Sequence, residues 1–235
     1  MTIPLSRRVA AEFAGTAFLV AAVIGSGIMG ERLAGGNVAI ALLANTMATG
    51  AALVALILAI GPISGAHLNP VVTIMDSWQG GLRWIEAPTY VASQIGGGTA
   101  GTIVANVMFQ LPVVSVSHHA RSGPAQIFSE FVATFGLLLV IWGCARFHPK
   151  MVSFAVGGYI TAAYWFTAST SFANPAVTIA RTLSDTFAGI RPADAPAFIA
   201  AQILGGGAAT LLFRWMAPAA LQHTGGAAVS RDLLE

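Results

Sequence analysis

The chain has 235 residues, of which 56% are apolar and only 9% are charged, and its mean hydropathy is +0.76. Soluble domains carry about 25% charged residues, so the composition excludes an ordinary soluble protein and predicts one that lies in a membrane. The formal net charge of +2 comes with no basic run for nucleic acid. The single cysteine, Cys144, excludes an internal disulfide and a cysteine-based metal site.

Stretches without Asp, Glu, Lys or Arg locate the predicted membrane spans. They cover residues 13–30, 33–75, 87–120, 131–145, 151–180 and 195–213. A spanning helix needs about 20 residues, so the second and fifth stretches are too long for one helix each and are expected to hold a full span plus a shorter helix. The first apolar run, which Glu12 interrupts at its start, is predicted to be a retained helix and not a cleaved signal peptide.

The chain is therefore predicted to form six spans and two short helices. The spans cover about Arg8–Gly27, Asn37–Ile60, Trp84–Phe109, Ala125–Ala145, Met151–Ala168 and Ala195–Ala217, and the short helices cover Pro70–Ser77 and Pro175–Asp185. Gly61-Pro62 is expected to end the second span. The polar loop Leu111–Pro124 separates two halves of the chain.

Each short helix begins at an Asn-Pro pair. The sequence reads HLNPVVT around Asn69 and FANPAVT around Asn174, and the two asparagines are 105 residues apart. Asn is a preferred N-cap, and Pro is preferred at the first helical position because its missing N–H has no helical partner there. We predict that these asparagines cap helices that start at Pro70 and Pro175.

Four landmarks recur in one order in both halves: a Glu, the Asn-Pro box, a Gln and a triple glycine. Glu12 aligns with Glu130, and Gln94 aligns with Gln202, which indicates repeats of about residues 8–110 and 125–217. Each repeat has three spans, an odd number, so the second enters the membrane from the opposite side. Inverted repeats place discontinuous helices near the midplane. The predicted fold is an all-α membrane protein with six transmembrane helices and two re-entrant half-helices, in one domain over residues 1–235.

Basic residues predict the orientation. The side that holds both termini carries Arg7, Arg8, Arg83, Arg146, Lys150, Arg214 and Arg231, and the other side carries Arg32, Arg121, Arg181 and Arg191. Because cytoplasmic loops are richer in Lys and Arg, this bias predicts that both termini are cytoplasmic.

The segments that lead into the boxes, residues 64–69 and 170–174, predict an aqueous path. Non-helical backbone at membrane depth is tolerated only where it is buried in protein or lines water. Carbonyl oxygens of these segments and the amides of Asn69 and Asn174 would offer hydrogen bonds along the path. The positive ends of both half-helices would repel cations and hydrated protons. The pattern favours a passage for uncharged, hydrogen-bonding molecules.

These features resemble the aquaporin and aquaglyceroporin family of major intrinsic proteins. The residues that carry the resemblance are SGAHLNP followed by VVT, the second box NPAVT and the paired Glu, and it extends from Glu12 to Ala217. It implies a homotetramer in the lipid bilayer with one pore per subunit, and no cofactor, metal or nucleic acid. Asn69, Pro70, Asn174 and Pro175 would form the pore midpoint, and Gly65, Ala66, His67, Leu68, Phe172 and Ala173 would supply pore-lining backbone or a gate. The first box departs from the family pattern because Val71 follows its proline where Ala is usual.

The resemblance also implies a selectivity filter on the extracellular side of the asparagines. Counted from the boxes, its positions are Thr49, Ala162, Ser171 and Val177, and the alignments of Ala162 and Ser171 could slip by one residue. Most of the family has Arg where this chain has Val177. A filter without Arg, His or an aromatic ring is predicted to be wide and weakly polar. Arg181 lies one helical turn further on, and the alternative is that it reaches back into the filter.

A wide neutral filter suits glycerol, urea and metalloid hydroxides such as arsenous acid, together with water. It resembles the filter of the aquaglyceroporin-like channels of bacterial arsenic resistance, which implies the inner membrane of a bacterium. A water-selective aquaporin is one alternative, and an ion-coupled secondary transporter, which also uses inverted repeats and broken helices, is another. An enzyme is not expected, since no Ser-His-Asp or paired-carboxylate arrangement stands outside the repeat landmarks.

Two sets of ionisable residues have two interpretations each. Intramembrane carboxylates often belong to proton relays, but the repeated position of Glu12 and Glu130 favours structural support, in which they accept N–H groups of the irregular segments. His67 could gate the pore in response to pH or pack as a hydrogen-bonded structural residue.

Overall fold

The structure is a computed structural model that describes residues 3–218, and this part of the chain forms eight α-helices and no strand. The helices are α1 (Leu5–Leu33), α2 (Val38–Ser64), α3 (Pro70–Gln79), α4 (Ala87–Met108), α5 (Pro124–Phe147), α6 (Val152–Phe166), α7 (Pro175–Arg181) and α8 (Ala195–Met216). One-turn 3₁₀ helices at Pro149–Met151 and Pro192–Asp194 precede α6 and α8. Arg231 and the end of the predicted 1–235 domain lie outside the described residues.

The predicted all-α membrane fold is confirmed, with six long helices and two half-helices. Among the described residues, α1, α2, α5 and α8 are each long and apolar enough to cross a membrane by length and composition alone. The glycine-rich α4 has 22 residues, and α6 has only 15, about 22 Å at 1.5 Å per residue. The 3₁₀ turn at Pro149–Met151 extends α6 at its N-terminal end.

The two repeats are packed in the same way. In the first, α1 contacts α2 and α4; in the second, α5 contacts α6 and α8. A contact between α2 and α6 joins the repeats, and α3 meets α7 between them. Apolar side chains on the outward surfaces, such as Phe18 and Trp215, are exposed, as expected for helices that face lipid.

Glycines of the triple-glycine motifs permit two kinds of close packing. A Cβ added at Gly97 or Gly205 would collide with a backbone carbonyl of the neighbouring long helix, so these residues let α4 approach α1 and α8 approach α5. The next residue in each motif faces the half-helix of the other repeat. Gly98 of α4 lies against α7 at Ala180, and Gly206 of α8 lies against α3 at Val71.

The half-helices begin where the Asn-Pro pairs predict. The side chain of Asn69 accepts a hydrogen bond from the Val71 N–H, and that of Asn174 accepts one from the Ala176 N–H, both at 2.9 Å. Both asparagines have extended backbones, as N-caps do. The proline that follows each is the first helical residue.

The second span does not end before Gly61-Pro62, as predicted, but continues through Pro62 to Ser64. Proline removes only its own N–H from the helical ladder, and membrane helices tolerate this loss. The helix ends instead at Gly65, whose φ of +92° is left-handed and whose N–H caps the Gly61 carbonyl at 2.9 Å.

The second half-helix is shorter than predicted, because it ends at Arg181 and not at Asp185. The residues that follow pair with the loop between the repeats. The Ser117 N–H donates to the Thr182 carbonyl at 2.9 Å, and the Ser115 N–H donates to the Leu183 carbonyl at 3.0 Å. Since these carbonyls have partners outside the helix, the chain leaves the helical path one turn early.

Candidate pore and its two mouths

The N-terminal ends of α3 and α7 meet at the centre of the molecule. The Asn69 amide Nδ2 donates to the Ala173 carbonyl, and the Asn174 Nδ2 donates to the Leu68 carbonyl, both at 2.7 Å. A side-chain amide carries two hydrogens, so each asparagine retains a second donor. Both asparagines line the central cavity, where that donor is available to a solute.

The segments before the boxes have the same unusual backbone. In each segment, the non-glycine residues one and three positions before the asparagine have a left-handed φ. The angle is +48° at Ala66 and +49° at Leu68 in the first segment, and +50° at Ser171 and +49° at Ala173 in the second. Each such residue costs about 1–3 kcal/mol and persists only where its surroundings hold it. The two segments therefore need fixed hydrogen-bond acceptors behind them.

Glu12 supplies those acceptors in the first repeat. Its carboxylate accepts hydrogen bonds from the N–H groups of His67 at 2.9 Å and Leu68 at 2.7 Å, and from the Gln94 Nε2 at 2.8 Å. The Ser64 hydroxyl adds a further bond at 2.7 Å. Glu12 is fully buried and does not line the cavity.

Glu130 occupies the equivalent place in the second repeat. It accepts from the N–H groups of Phe172 and Ala173, each at 2.9 Å, and from the Gln202 Nε2 at 2.6 Å. Glu130 is also fully buried and absent from the cavity wall. Both glutamates therefore accept backbone N–H groups behind the pore segments, as in the structural-support interpretation, and neither carboxylate faces the cavity.

One cavity of about 480 Å³ is lined by both asparagines and by most of the predicted site residues. Those that line it are Thr49, Gly65, Ala66, His67, Leu68, Asn69, Ser171, Phe172, Ala173, Asn174 and Val177. Pro70 and Pro175 do not line it and are buried in the first turns of the half-helices.

Ala162 lies outside the cavity, contrary to its predicted place in the filter. Its side chain is exposed on the outer face of α6, whereas Tyr164 is buried and lines the cavity. Two residues correspond to about 200° around a helix, so the two side chains have nearly opposite directions. The Tyr164 hydroxyl lies 3.3 Å from Thr49 Oγ1. The wall beside Thr49 thus contains an aromatic ring, which the count from Asn174 does not predict.

Arg181 also lines the cavity. It is four residues after Val177 and lies on the same side of α7. Its side chain is 2% exposed, its Nε donates to the Ala188 carbonyl, and its Cζ lies 3.4 Å from the centre of the Phe172 ring. The Arg181 side chain therefore borders the cavity one helical turn beyond Val177.

The two ends of the cavity have different charged residues. Because α3 and α7 meet at their N-terminal ends, Asp76 and Arg181, near their C-terminal ends, lie at opposite ends of the cavity. We name these ends the Asp76 mouth and the Arg181 mouth. At the Asp76 mouth, His67 Nε2 lies 3.5 Å from Asp76 Oδ2, and His67 Nδ1 lies 3.1 Å from Thr73 Oγ1.

Loop 111–123 covers the Arg181 mouth. Arg121 on this loop is buried, and its guanidinium donates to the carbonyls of Gly189 at 2.8 Å and Ser169 at 3.3 Å. At the loop surface, the His118 N–H donates to the Asp185 carboxylate at 2.9 Å, and this bond holds the pKa of Asp185 below its usual value. The loop is thus fixed both to the pore segment and to the residues that follow α7.

Comparison with known proteins decides the family. A family model described as major intrinsic protein matches residues 1–150. The chain belongs to the major intrinsic protein family. Like other members of the family, this major intrinsic protein is a membrane channel and not an enzyme, as the sequence predicts.

Individual major intrinsic proteins resemble the chain over most of its length. Aquaglyceroporin AqpS of Rhizobium meliloti (strain 1021) is 52% identical over 212 residues, which cover 90% of this chain and 91% of that protein. Aquaporin NIP1-4 of Oryza sativa subsp. japonica is 34% identical over 190 residues, 76% of this chain and 67% of that protein. The solved aquaglyceroporin of Plasmodium falciparum superposes with a TM-score of 0.72 over 89% of this chain and 96% of that chain, at 21% identity, and shows the shared fold.

Proposed function

We propose that this channel passively conducts small uncharged solutes larger than water, such as glycerol, urea and metalloid hydroxides including arsenous acid, and that it also passes water. The observation that carries the proposal is Val177. It lines the cavity in the first turn of α7, where the family resemblance implies Arg. A short apolar side chain leaves room for a solute at this turn of α7, and the guanidinium of Arg181 lines the cavity one helical turn further toward its mouth.

The proposed filter consists of Thr49, Tyr164, Ser171 and Val177, with Tyr164 in the place that Ala162 was expected to hold. Two hydroxyls of this set bond each other, those of Thr49 and Tyr164. Ser171 retains a hydroxyl with no partner among the described residues. The filter thus combines an apolar side with one free polar group, which suits molecules that carry both hydroxyls and a carbon or metalloid centre.

Cations are expected to be excluded at two points. Each half-helix directs about half a positive elementary charge at the centre of the pore, and Arg181 adds a full positive charge at its own mouth. The name of the relative AqpS, an aquaglyceroporin, is consistent with transport of uncharged solutes through such a pore.

We further propose cytoplasmic termini, a homotetramer and a bacterial inner membrane as the location. The Lys and Arg bias between the two sides supports the orientation and makes the Asp76 mouth cytoplasmic. The family resemblance supports the tetramer, and the bacterial origin of AqpS supports the location. Cross-linking of the protein in native membranes should give a four-subunit product.

The proposed solute class is tested by stopped-flow light scattering of proteoliposomes. Vesicles with wild-type protein should re-swell quickly in glycerol and in urea after initial shrinkage, whereas Val177→Arg should lose solute entry and retain water flux. Val116→Arg is the matched control, because Val116 is exposed on the loop that covers the same mouth and does not line the cavity. A wild-type channel that passes water alone would refute the proposed solute class.

A further inference from the structure

The guanidinium of Arg181 has free donors in the cavity. The residue is almost completely buried, with only 2% of its surface accessible. Nε donates to the Ala188 carbonyl, but neither Nη1 nor Nη2 donates a hydrogen bond to any residue within 3–218. Buried polar groups normally have partners, so these two nitrogens, in a residue that lines the cavity, are available to a molecule inside it.

The charge of Arg181 is also not neutralised. None of the ion pairs within residues 3–218 includes Arg181 or its neighbour Arg121. The two guanidinium groups lie against one ring, with Cζ atoms 3.4 Å and 5.0 Å from the centre of Phe172. Glu130, which approaches this region, is occupied by backbone N–H groups and Gln202. The Arg181 mouth therefore has an excess of positive charge.

A second polar group at this mouth also has no partner. The Ser171 hydroxyl is buried, and no hydrogen bond to it is present in the part of the chain that the structure describes. Ser171 lines the same cavity, immediately before Phe172. An unpaired hydroxyl and a guanidinium with free Nη donors on the wall of one cavity are complementary to an oxygen-bearing anion.

We propose that Arg181 and Ser171 form a binding site for a small monovalent carboxylate in the Arg181 mouth. A guanidinium offers two parallel N–H donors that match the two oxygens of a carboxylate, and the Ser171 hydroxyl lies on the wall of the same cavity. The bound anion lies in the solute path, so it inhibits the flux of uncharged solutes. This last step rests on the proposed function, whereas binding itself does not.

Formate is the probe, and the first readout is thermal unfolding of the purified protein in detergent, which does not depend on transport. Formate should raise the unfolding temperature of the wild type. Arg181→Met should abolish this shift, and Arg181→Lys should weaken formate affinity about tenfold, the effect of losing one charge-assisted hydrogen bond. Arg32→Met is the matched control, because Arg32 is an exposed arginine that does not line the cavity.

Chloride at equal ionic strength separates the carboxylate site from general charge effects. It should give no comparable shift, because a spherical ion cannot use two parallel donors. An equal shift with chloride, or a formate shift that persists in Arg181→Met, would overturn the proposal. Where Arg181→Met does not fold, Arg181→Lys decides the question: formate affinity equal to the wild type refutes the site.

Inhibition of glycerol entry into proteoliposomes is the second readout. Formate should slow glycerol entry through the wild type and through Arg32→Met, and should have about tenfold less effect on Arg181→Lys. If formate stabilises the protein through Arg181 but glycerol does not pass, the proposed solute class fails and the site stands. If glycerol passes and formate neither stabilises nor inhibits, the site fails and the solute class stands.

Discussion

Seven residues after each capping asparagine, the half-helices carry opposite charges, Asp76 on α3 and Arg181 on α7. Each charge contacts the residue two positions before its own asparagine. Asp76 lies 3.5 Å from the His67 ring nitrogen, and Arg181 lies 3.4 Å from the centre of the Phe172 ring. The repeat thus conserves the place of the contact and changes its chemistry, from an imidazole–carboxylate contact to a cation–π contact.

Next to these contacts, equivalent positions of the two halves carry different side chains. His67 lies 5.5 Å from the ring of Tyr90, and Phe172 lies 5.3 Å from the ring of Phe198. The Tyr90 hydroxyl donates to the Ser64 carbonyl; Phe198 has no hydroxyl. In the second half, the equivalent carbonyl, that of Ser169, accepts from Arg121 on loop 111–123 instead.

The comparison shows which groups can change between the repeats. Buried acceptors that fix strained backbone, the two glutamates, are the same in both halves. The side chains that contact each other at the two mouths differ, His67 with Asp76 at one and Phe172 with Arg181 at the other. Substitutions should therefore be equivalent between the halves at the glutamates and unequal at the donors to the Ser64 and Ser169 carbonyls.

The largest expected effect is at the glutamates. Glu12→Ala and Glu130→Ala should each lower the free energy of unfolding by about 3 kcal/mol or more, because each leaves several buried donors unsatisfied at about 1–3 kcal/mol apiece. Chemical denaturation in detergent measures the loss. If one variant is as stable as the wild type while the other is not, the two repeats do not share this support.

The next largest effect is expected at the side chains that donate to the equivalent carbonyls of Ser64 and Ser169, since these donors differ between the halves. Arg121→Met should cost about 2–3 kcal/mol, because it leaves the buried carbonyls of Gly189 and Ser169 without that donor. Tyr90→Phe should cost only about 1 kcal/mol, the value of one hydrogen bond. Equal losses for the two variants, measured by the same denaturation, would contradict the difference between the mouths.

Substitution of His67 or Phe172, which contact Asp76 and Arg181, should have a smaller effect. His67→Phe removes the bond to Thr73 and the pair with Asp76, and Phe172→Leu removes the ring beneath Arg181; each should cost about 1 kcal/mol. Phe172→Tyr is the control for ring removal and should be close to the wild type. Thermal unfolding in detergent reports these changes, and a neutral Phe172→Leu would exclude a stabilising cation–π contact.

The smallest expected effect is a pH dependence limited to the Arg181 mouth. Hydrogen bonds from the N–H and ring of His118 lower the pKa of Asp185. A carboxyl with a lowered folded-state pKa stabilises the protein above its unfolded pKa, about 4, and loses this contribution as pH falls through the folded value. Protection of loop 111–123 against hydrogen exchange, corrected for the intrinsic pH dependence of amide exchange, should be independent of this group between pH 7 and 5 and should fall below about pH 4.

Asp185→Asn is the matched variant for this pH prediction. It should remove the loss of protection below about pH 4, because the side chain no longer titrates. Asp185 is substantially exposed, so solvent screens the pair and keeps the effect small. An acid-dependent loss of protection of equal size in Asp185→Asn would assign the effect to another group.

Local sequence signals predicted the centre of the pore but not its Arg181 mouth. Asn-Pro at residues 69–70 specifies a cap whatever surrounds it, and the recurrence of Glu12 at Glu130 marks the supports. Ala162 was placed by counting back from Asn174, which assumes a fixed phase across the unwound segment between α6 and α7. That segment begins after Phe166, and its length sets which face of α6 meets the cavity.

The position of the Arg181 side chain was beyond local signals for a related reason. Its Nε partner, the Ala188 carbonyl, lies in the segment after α7, which leaves the helical path because loop 111–123 pairs with it. These are contacts between segments distant in sequence, and no spacing rule specifies them. A helical turn of four residues placed Arg181 on the side of Val177, but only the tertiary contacts fix its direction.

The packing of each half-helix on the opposite repeat has a consequence for synthesis. Gly206, which contacts α3 at Val71, belongs to the last helix of the described chain. When α3 leaves the ribosome, its packing surface on α8 has not yet been translated. The first repeat must hold a capped but incompletely packed half-helix until α8 inserts. A nascent chain that stops before α8 therefore lacks the surface against which the start of α3 packs.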